Sequence, residues 1–310
     1  MERIPIPRLC GEYKHIYIPS PDVYRGRDTA SFEKGVLYEN WITNDFSIIK
    51  VGGRYHLVGI THPAPPDYKD EYTPTKQYIH EAEQMLFHAY ADGEDLSALM
   101  FDGSFVDGEK LLYPHSRPDE IPEIHAPHLS FTRDGRVRMI YGPRDIRLAL
   151  TDDFKSFERR VLFVDHPTAR DPHLFEENGS FTLIYAVENR IDYRQSYDLV
   201  SFTEPKTLQV NPYSNEDGVT AASESPFLFK YKDFYYLFWA IYDARLGMYD
   251  HRTFVYGART LEGLNKSAPL TILPAHASEI YEDGSGIYLL SAFYPENGVS
   301  AVRIEFDDNY

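Results

Sequence analysis

RDPHLFEENGSFTLIYA, residues 170–186, reads as a β-hairpin: an apolar run, a Glu-Asn-Gly turn and a second apolar run. Its start is out of character. Arg170 and Asp171 set two charges against a strand whose other residues ask to be buried. Four further segments share the same grammar of polar leader, short apolar strand, turn and aromatic-aliphatic strand. They are NDFSIIKVGGRYHLVGI from Asn44, HAPHLSFTRDGRVRMIYG from His125, ESPFLFKYKDFYYLFWA from Glu224 and HASEIYEDGSGIYLLSA from His276.

The leading polar residues are Asp45, His125, Asp171, Glu224 and His276, recurring about every 50 residues after a longer first interval. Two hairpins per unit at that period predict the blades of a β-propeller. The fold class is therefore all-β, a single five-bladed β-propeller domain over residues 1–310. The long first interval holds a polar, Pro-rich insertion, Thr61 to Gln77. The last unit has room for three strands, so an N-terminal strand near HIYIP (His15 to Pro19) is expected to complete it and close the ring. Helical periodicity is scarce. Its best candidate, Lys76 to His88, ends in residues that read equally well as a strand.

Propeller geometry turns the repeat into a site. The first strand of each blade lines the axis, so equivalent positions converge at one mouth of the channel. Alone, an aspartate before a strand is ordinarily a turn or cap residue, and Arg170–Asp171 reads as a surface ion pair. Five polar residues at one register of an otherwise apolar repeat are costly unless the place is wet or used. A ring of carboxylates points to acid–base chemistry on a neutral polar substrate. In glycoside cleavage one carboxylic acid protonates the leaving oxygen and a second carboxylate attacks or activates water.

At this point the motifs resemble those of the five-bladed-propeller glycoside hydrolases, families 43, 32 and 68, with this chain a divergent member. WITNDFSIIKVGGRYHLVGITHP (Trp41 to Pro63) resembles the family 32 segment Trp-Met-Asn-Asp-Pro-Asn-Gly and its following strands, with Phe46 where proline is usual. ARDPHLF is similar to the Arg-Asp-Pro motif, SESPFLF to the later acid motif, and HAPHLSF to Trp-Ala-Pro with His125 replacing tryptophan. The resemblance implies Asp45 as nucleophile or general base, Asp171 as transition-state stabiliser and Glu224 as general acid. It implies Asn44, Trp41, Arg170, His125 and His276 as substrate-binding residues, and a fructosyl or arabinosyl furanoside or similar small glycoside as substrate. No cofactor is required, although the resemblance allows a central calcium ion or water near His276.

Composition narrows the classes. The chain is 43% hydrophobic, ample for a large core, and has no run long enough for a membrane span. A net charge of −17 argues against nucleic acid or an anionic membrane as partner. The single cysteine, Cys10, excludes an intramolecular disulfide framework and fits a reducing compartment. With no apolar signal region at the N-terminus, a cytoplasmic protein is expected. His-x-x-x-His and Cys-x-x-Cys spacings, a phosphate-binding glycine loop and a Gly-x-Ser-x-Gly elbow are all missing, so no metal site is expected from motif. Trp239 reads as core and Arg144 as a rim contact. Two other readings stay open: a catalytically silent sugar-binding propeller, and a transferase or phosphorylase on the same fold.

Overall fold

The computed structural model describes residues 3–20, 22–23, 37–38, 41–63, 83, 85–111, 123–164, 166–213, 222–241 and 251–307. Five four-stranded antiparallel sheets form five blades. The first comprises β4 (Trp41–Val51), β5 (Arg54–Pro63), β6 (Met85–Asp92) and β7 (Val106–Asp107). The second comprises β8 (His125–Phe131), β9 (Val137–Gly142), β10 (Asp145–Thr151) and β11 (Glu158–Val164). The third runs through β12 (Arg170–Glu177), β13 (Ser180–Val187), β14 (Arg190–Ser196) and β15 (Lys206–Val210). The fourth has β16 (Ser223–Tyr231), β17 (Phe234–Ile241), β18 (Arg252–Ala258) and β19 (Thr271–Pro274). The fifth joins β20 (Glu279–Asp283), β21 (Gly286–Ala292) and β22 (Val299–Asp307) to β1 (Ile6–Tyr17). A separate short pair is formed by β2 (Asp22–Val23) and β3 (Leu37–Tyr38).

The ring closes with N- and C-terminal strands in one sheet, β1 pairing with β22 from Ile6↔Asp307 to Tyr17↔Val299. The closing strand is longer than HIYIP and begins earlier. Its first half, Ile6 to Lys14, is an edge strand with a half-exposed face and irregular pairing after Cys10, so its apolar alternation is weak. The helical reading of Lys76 to His88 fails where it is described. Met85 to His88 lie in β6, paired to β5 from Arg54↔Asp92 to Thr61↔Met85. Most of that stretch, and the insertion beyond Pro63, lies outside the described residues.

Local chemistry sets the hairpins. Asn178 (φ 49°) and Gly179 (φ 77°) make the left-handed turn between β12 and β13, as Gly52 and Gly53 do between β4 and β5. The middle strands are buried on both faces because each sheet packs against two neighbours, so they read as continuous apolar runs rather than alternating ones. Among the described residues the core divides into five clusters, one at each blade interface. Trp239 sits fully buried in the cluster between blades three and four, as expected. Inner strands β4, β8, β12, β16 and β20 touch in sequence around the axis, and β20 returns to β4.

Candidate active site

Four of the five inner strands are broken near their start. Pairing slips between Thr43 and Phe46, His125 and His128, Arg170 and His173, and Glu224 and Phe227. Ala126, Asp171 and Ser225 in these breaks, and Ala277 ahead of β20, have φ of 45°, 53°, 50° and 46°. These β-bulges bend the strand and re-aim its first side chains. They also correct the repeat alignment by one residue. Glu224, His125 and His276 are level with Arg170, whereas the equivalents of Asp171 are Ala126, Ser225 and Ala277. A small residue follows each of those leaders, so sequence pattern alone does not reveal the offset.

The three carboxylates nevertheless meet. Asp45, Asp171 and Glu224 line one pocket of about 470 Å³ together with Asn44, His125, Arg170 and Arg144. That volume suits a small ligand. Arg170 ties the group together. Its Nη2 donates to Glu224 Oε1 at 3.1 Å and to the Ser223 carbonyl at 3.0 Å, while Nε lies 3.4 Å from Asp171 Oδ2. Ser225 ties the other side: its backbone N–H donates to Asp171 Oδ2 at 3.1 Å and its hydroxyl donates to Asp45 Oδ1.

Burial dominates the electrostatics. It pushes the Asp45 carboxyl well above its usual range; Asp171 and Glu224 add to the push, and the Ser225 hydrogen bond and Arg170 oppose it. Asp171 is also raised by burial, with Arg170 the main opposing charge. Lone carboxylates here would be expensive; one guanidinium and one serine make the cluster tolerable.

The remaining predicted residues divide. His125 lines the pocket, and its Nε2 lies 2.7 Å from Glu83 Oε2, a buried carboxylate. His276 does not line the pocket. It is 1% exposed and stands behind Asn44, to whose Oδ1 its Nε2 donates at 2.9 Å. Burial, with His251 beside it, holds its imidazole down to about 3, so the ring is neutral. Trp41 is buried and does not line the pocket; Lys110 Nζ lies 4.5 Å from its ring centre. Glu83, Glu123 and Ser225 were missed. Ser225 adjoins a motif residue and was within reach. Glu83 comes from a stretch with no repeat counterpart.

One register step inward from the break stand His128, His173 and Glu279, all buried. The signal for them lay in HAPHL, RDPHL and HASEI, where the fourth letter is His, His and Glu. Their ligand-type atoms lie within 4.8 Å of one another. The calcium ion allowed near His276 does not fit this surrounding. His276 Nε2 is engaged by Asn44, and the nearby triplet offers two imidazoles and one carboxylate where calcium takes six to eight oxygens.

No protein-family model matches the chain, and no curated protein sequence matches it. Solved structures do share its fold. A thermostable family 43 glycoside hydrolase superposes with a TM-score of 0.61 at 16% identity, over 87% of this chain and 90% of that one. A mutant levansucrase of B. megaterium gives 0.62 at 13% identity, over 99% and 89%. An endo-arabinase of Bacteroides thetaiotaomicron gives 0.61 at 14% identity, over 86% and 95%. The chain thus has the five-bladed propeller found in family 43 enzymes and in levansucrase.

Proposed function

We propose that the protein is a glycoside hydrolase acting on a furanoside or similar small glycoside, with fructosyl and arabinosyl compounds the first candidates. The observation that carries this reading is the meeting of Asp45, Asp171 and Glu224, from three different blades, in one pocket around a single guanidinium. Two carboxyl groups with separated protonation are what cleavage of a glycosidic bond needs. Glu224 is the proton donor to the leaving oxygen, Asp45 the nucleophile or the base for water, and Asp171 the charge that stabilises an oxocarbenium-like transition state.

In the free protein Glu224 faces Arg170 at 3.1 Å, while burial and two acidic neighbours favour the protonated form of Asp45. The working arrangement needs the proton on Glu224 and Asp45 ionised. A sugar hydroxyl that takes up Arg170 releases Glu224 to receive the proton, and Asp45 gives it up. Ser225 favours this by donating to the Asp45 carboxylate. A phosphorolytic enzyme would need several cations to hold phosphate, and among the described residues the cations lining the pocket are Arg144 and Arg170, with His125 beside them.

The test is a screen of nitrophenyl glycosides and of fructo- and arabino-oligosaccharides. Wild type should release sugar, and Glu224→Gln and Asp45→Asn should each lose at least roughly 100-fold in kcat/KM, the scale of general acid–base catalysis. Binding without cleavage by wild type would favour the silent sugar-binding reading. Full activity in both variants would remove the catalytic assignment.

A further inference from the structure

The triplet beneath the pocket has features that the carboxylate cluster does not explain. His173 is 5% exposed, and its Nε2 donates to the Leu228 carbonyl at 3.1 Å. That hydrogen bond sets the tautomer and leaves a lone pair on Nδ1, which has no hydrogen-bond partner. His128 is 7% exposed with an Nδ1 that also lacks one, 3.9 Å from Glu279 Oε1. Glu279 is oriented from its other oxygen: the Ser47 hydroxyl donates to Oε2 at 3.0 Å and is itself fixed by the Leu129 N–H at 3.0 Å. The His173 lone pair, the His128 Nδ1 and a carboxylate therefore converge, with His173 and Glu279 each held from behind. An imidazole that donates its second nitrogen to a backbone carbonyl, and a carboxylate fixed by a hydroxyl, are the supports of metal ligands.

We propose that His128, His173 and Glu279 bind one borderline-soft divalent cation, zinc or a neighbouring first-row ion, on the propeller axis directly below the pocket. Nitrogen-rich donors favour such an ion over calcium or magnesium, which take oxygen. A cavity of about 20 Å³ separates the triplet from Asp45, Asp171 and Ser225. It has room for one water, which supplies the fourth position of a tetrahedral site. Charge points the same way. Asp45, Asp171 and Glu279 all face this small buried space, and Arg170 is already shared between Glu224 and Asp171. Carboxyl groups placed around one small space suit a cation better than a water. The site stands whether or not the pocket turns over glycosides.

The experiment uses the untagged full-length chain, stripped with a chelator and titrated separately with Zn²⁺, Co²⁺ and Ca²⁺. Calorimetry and thermal melting report binding, and the visible spectrum of the Co²⁺ form reports donor set and geometry. Wild type should bind one Zn²⁺ with a rise in Tm, give a tetrahedral Co²⁺ spectrum, and show no Tm change with equal Ca²⁺. His173→Gln should weaken Zn²⁺ binding at least 100-fold. The near-isosteric Glu279→Gln, which keeps an acceptor for Ser47, should weaken it at least tenfold and covers the case in which His173→Gln does not fold. His56→Gln is a control on the partly buried His56–His88 pair, whose ring nitrogens are 2.9 Å apart, and should change nothing. Absence of Zn²⁺ binding, preference for Ca²⁺, or binding that follows His56 and not Glu279 would each overturn the proposal, the first leaving a buried water in its place.

Discussion

His276 should make the protein acid-labile in a way one substitution can isolate. Its imidazole is 1% exposed, donates from Nε2 to Asn44, and is held at about 3 against an ordinary 6.5, mainly by burial. In the unfolded chain the same histidine takes up a proton near its ordinary value. Below about pH 6.5 the unfolded state therefore binds a proton that the folded state refuses. The contribution to stability is intact above that pH and is lost progressively as pH falls toward 3. At about 1.4 kcal/mol per unit, the full loss is roughly 4–5 kcal/mol, and at pH 4.5 it is about 2–3 kcal/mol. His276→Gln keeps an N–H for Asn44 but does not titrate. Urea unfolding of both proteins at pH 7.5 and pH 4.5 should show wild type losing about 2–3 kcal/mol more than the variant between the two conditions. Comparing the two losses cancels the buried carboxylates, which titrate in both proteins. Equal losses would refute the reasoning, because a neutral, buried His276 would then carry no linkage.

Two other substitutions probe the site. Ser225→Ala removes the hydroxyl that donates to Asp45 while keeping the backbone N–H to Asp171. If the proposed hydrolysis holds, the loss of one hydrogen bond to a charged group, about 1.5–3 kcal/mol, should lower kcat/KM roughly 10- to 100-fold on a glycoside that the screen finds cleaved; unchanged kinetics would remove Ser225 from the site. Gly59→Ala would put a Cβ 2.5 Å from both Phe46 Cβ and Phe87 Cε1 and 2.9 Å from the Asp45 carbonyl oxygen. Such overpacking should cost about 1–3 kcal/mol in denaturant unfolding and displace the strand that carries Asp45, and a wild-type midpoint would contradict it.

The fold was legible because its grammar is local. Turn residues such as Asn178–Gly179, and paired apolar runs such as His173 to Phe175 with Phe181 to Ala186, announce a hairpin without tertiary information. Repetition then counts the blades. The closing strand was legible only at its end, since an edge strand with one exposed face and shifted pairing carries little periodicity between Ile6 and Lys14. Asp45, Asp171 and Glu224 stand out in the sequence because each opens a repeat, and the structure brings them into one pocket. Their one-residue offset does not stand out, because a bulge is set by backbone dihedrals that Ala126, Ser225 and Ala277 adopt without a sequence mark. Nothing local marks Glu83, which approaches His125 from a segment outside the repeat.

The left-handed residues at the blade starts bear on what marks a functional site. A non-glycine residue at such φ costs roughly 1–2 kcal/mol, and strain of this kind is often taken as a pointer to function. Here the same conformation recurs at Ala126, Asp171, Ser225 and Ala277, and the two alanines have no side chain for chemistry. The strain therefore belongs to the architecture: it accompanies the turn onto the axis in four of the five blades. What distinguishes blades three and four is what the turn presents. Asp171 places a carboxylate where Ser225 offers its backbone N–H, and Ser225 sends its hydroxyl across to Asp45. A bend repeated for architecture has been filled in two blades with groups that answer one another, and that reciprocity, rather than the backbone strain, is what singles out the candidate site.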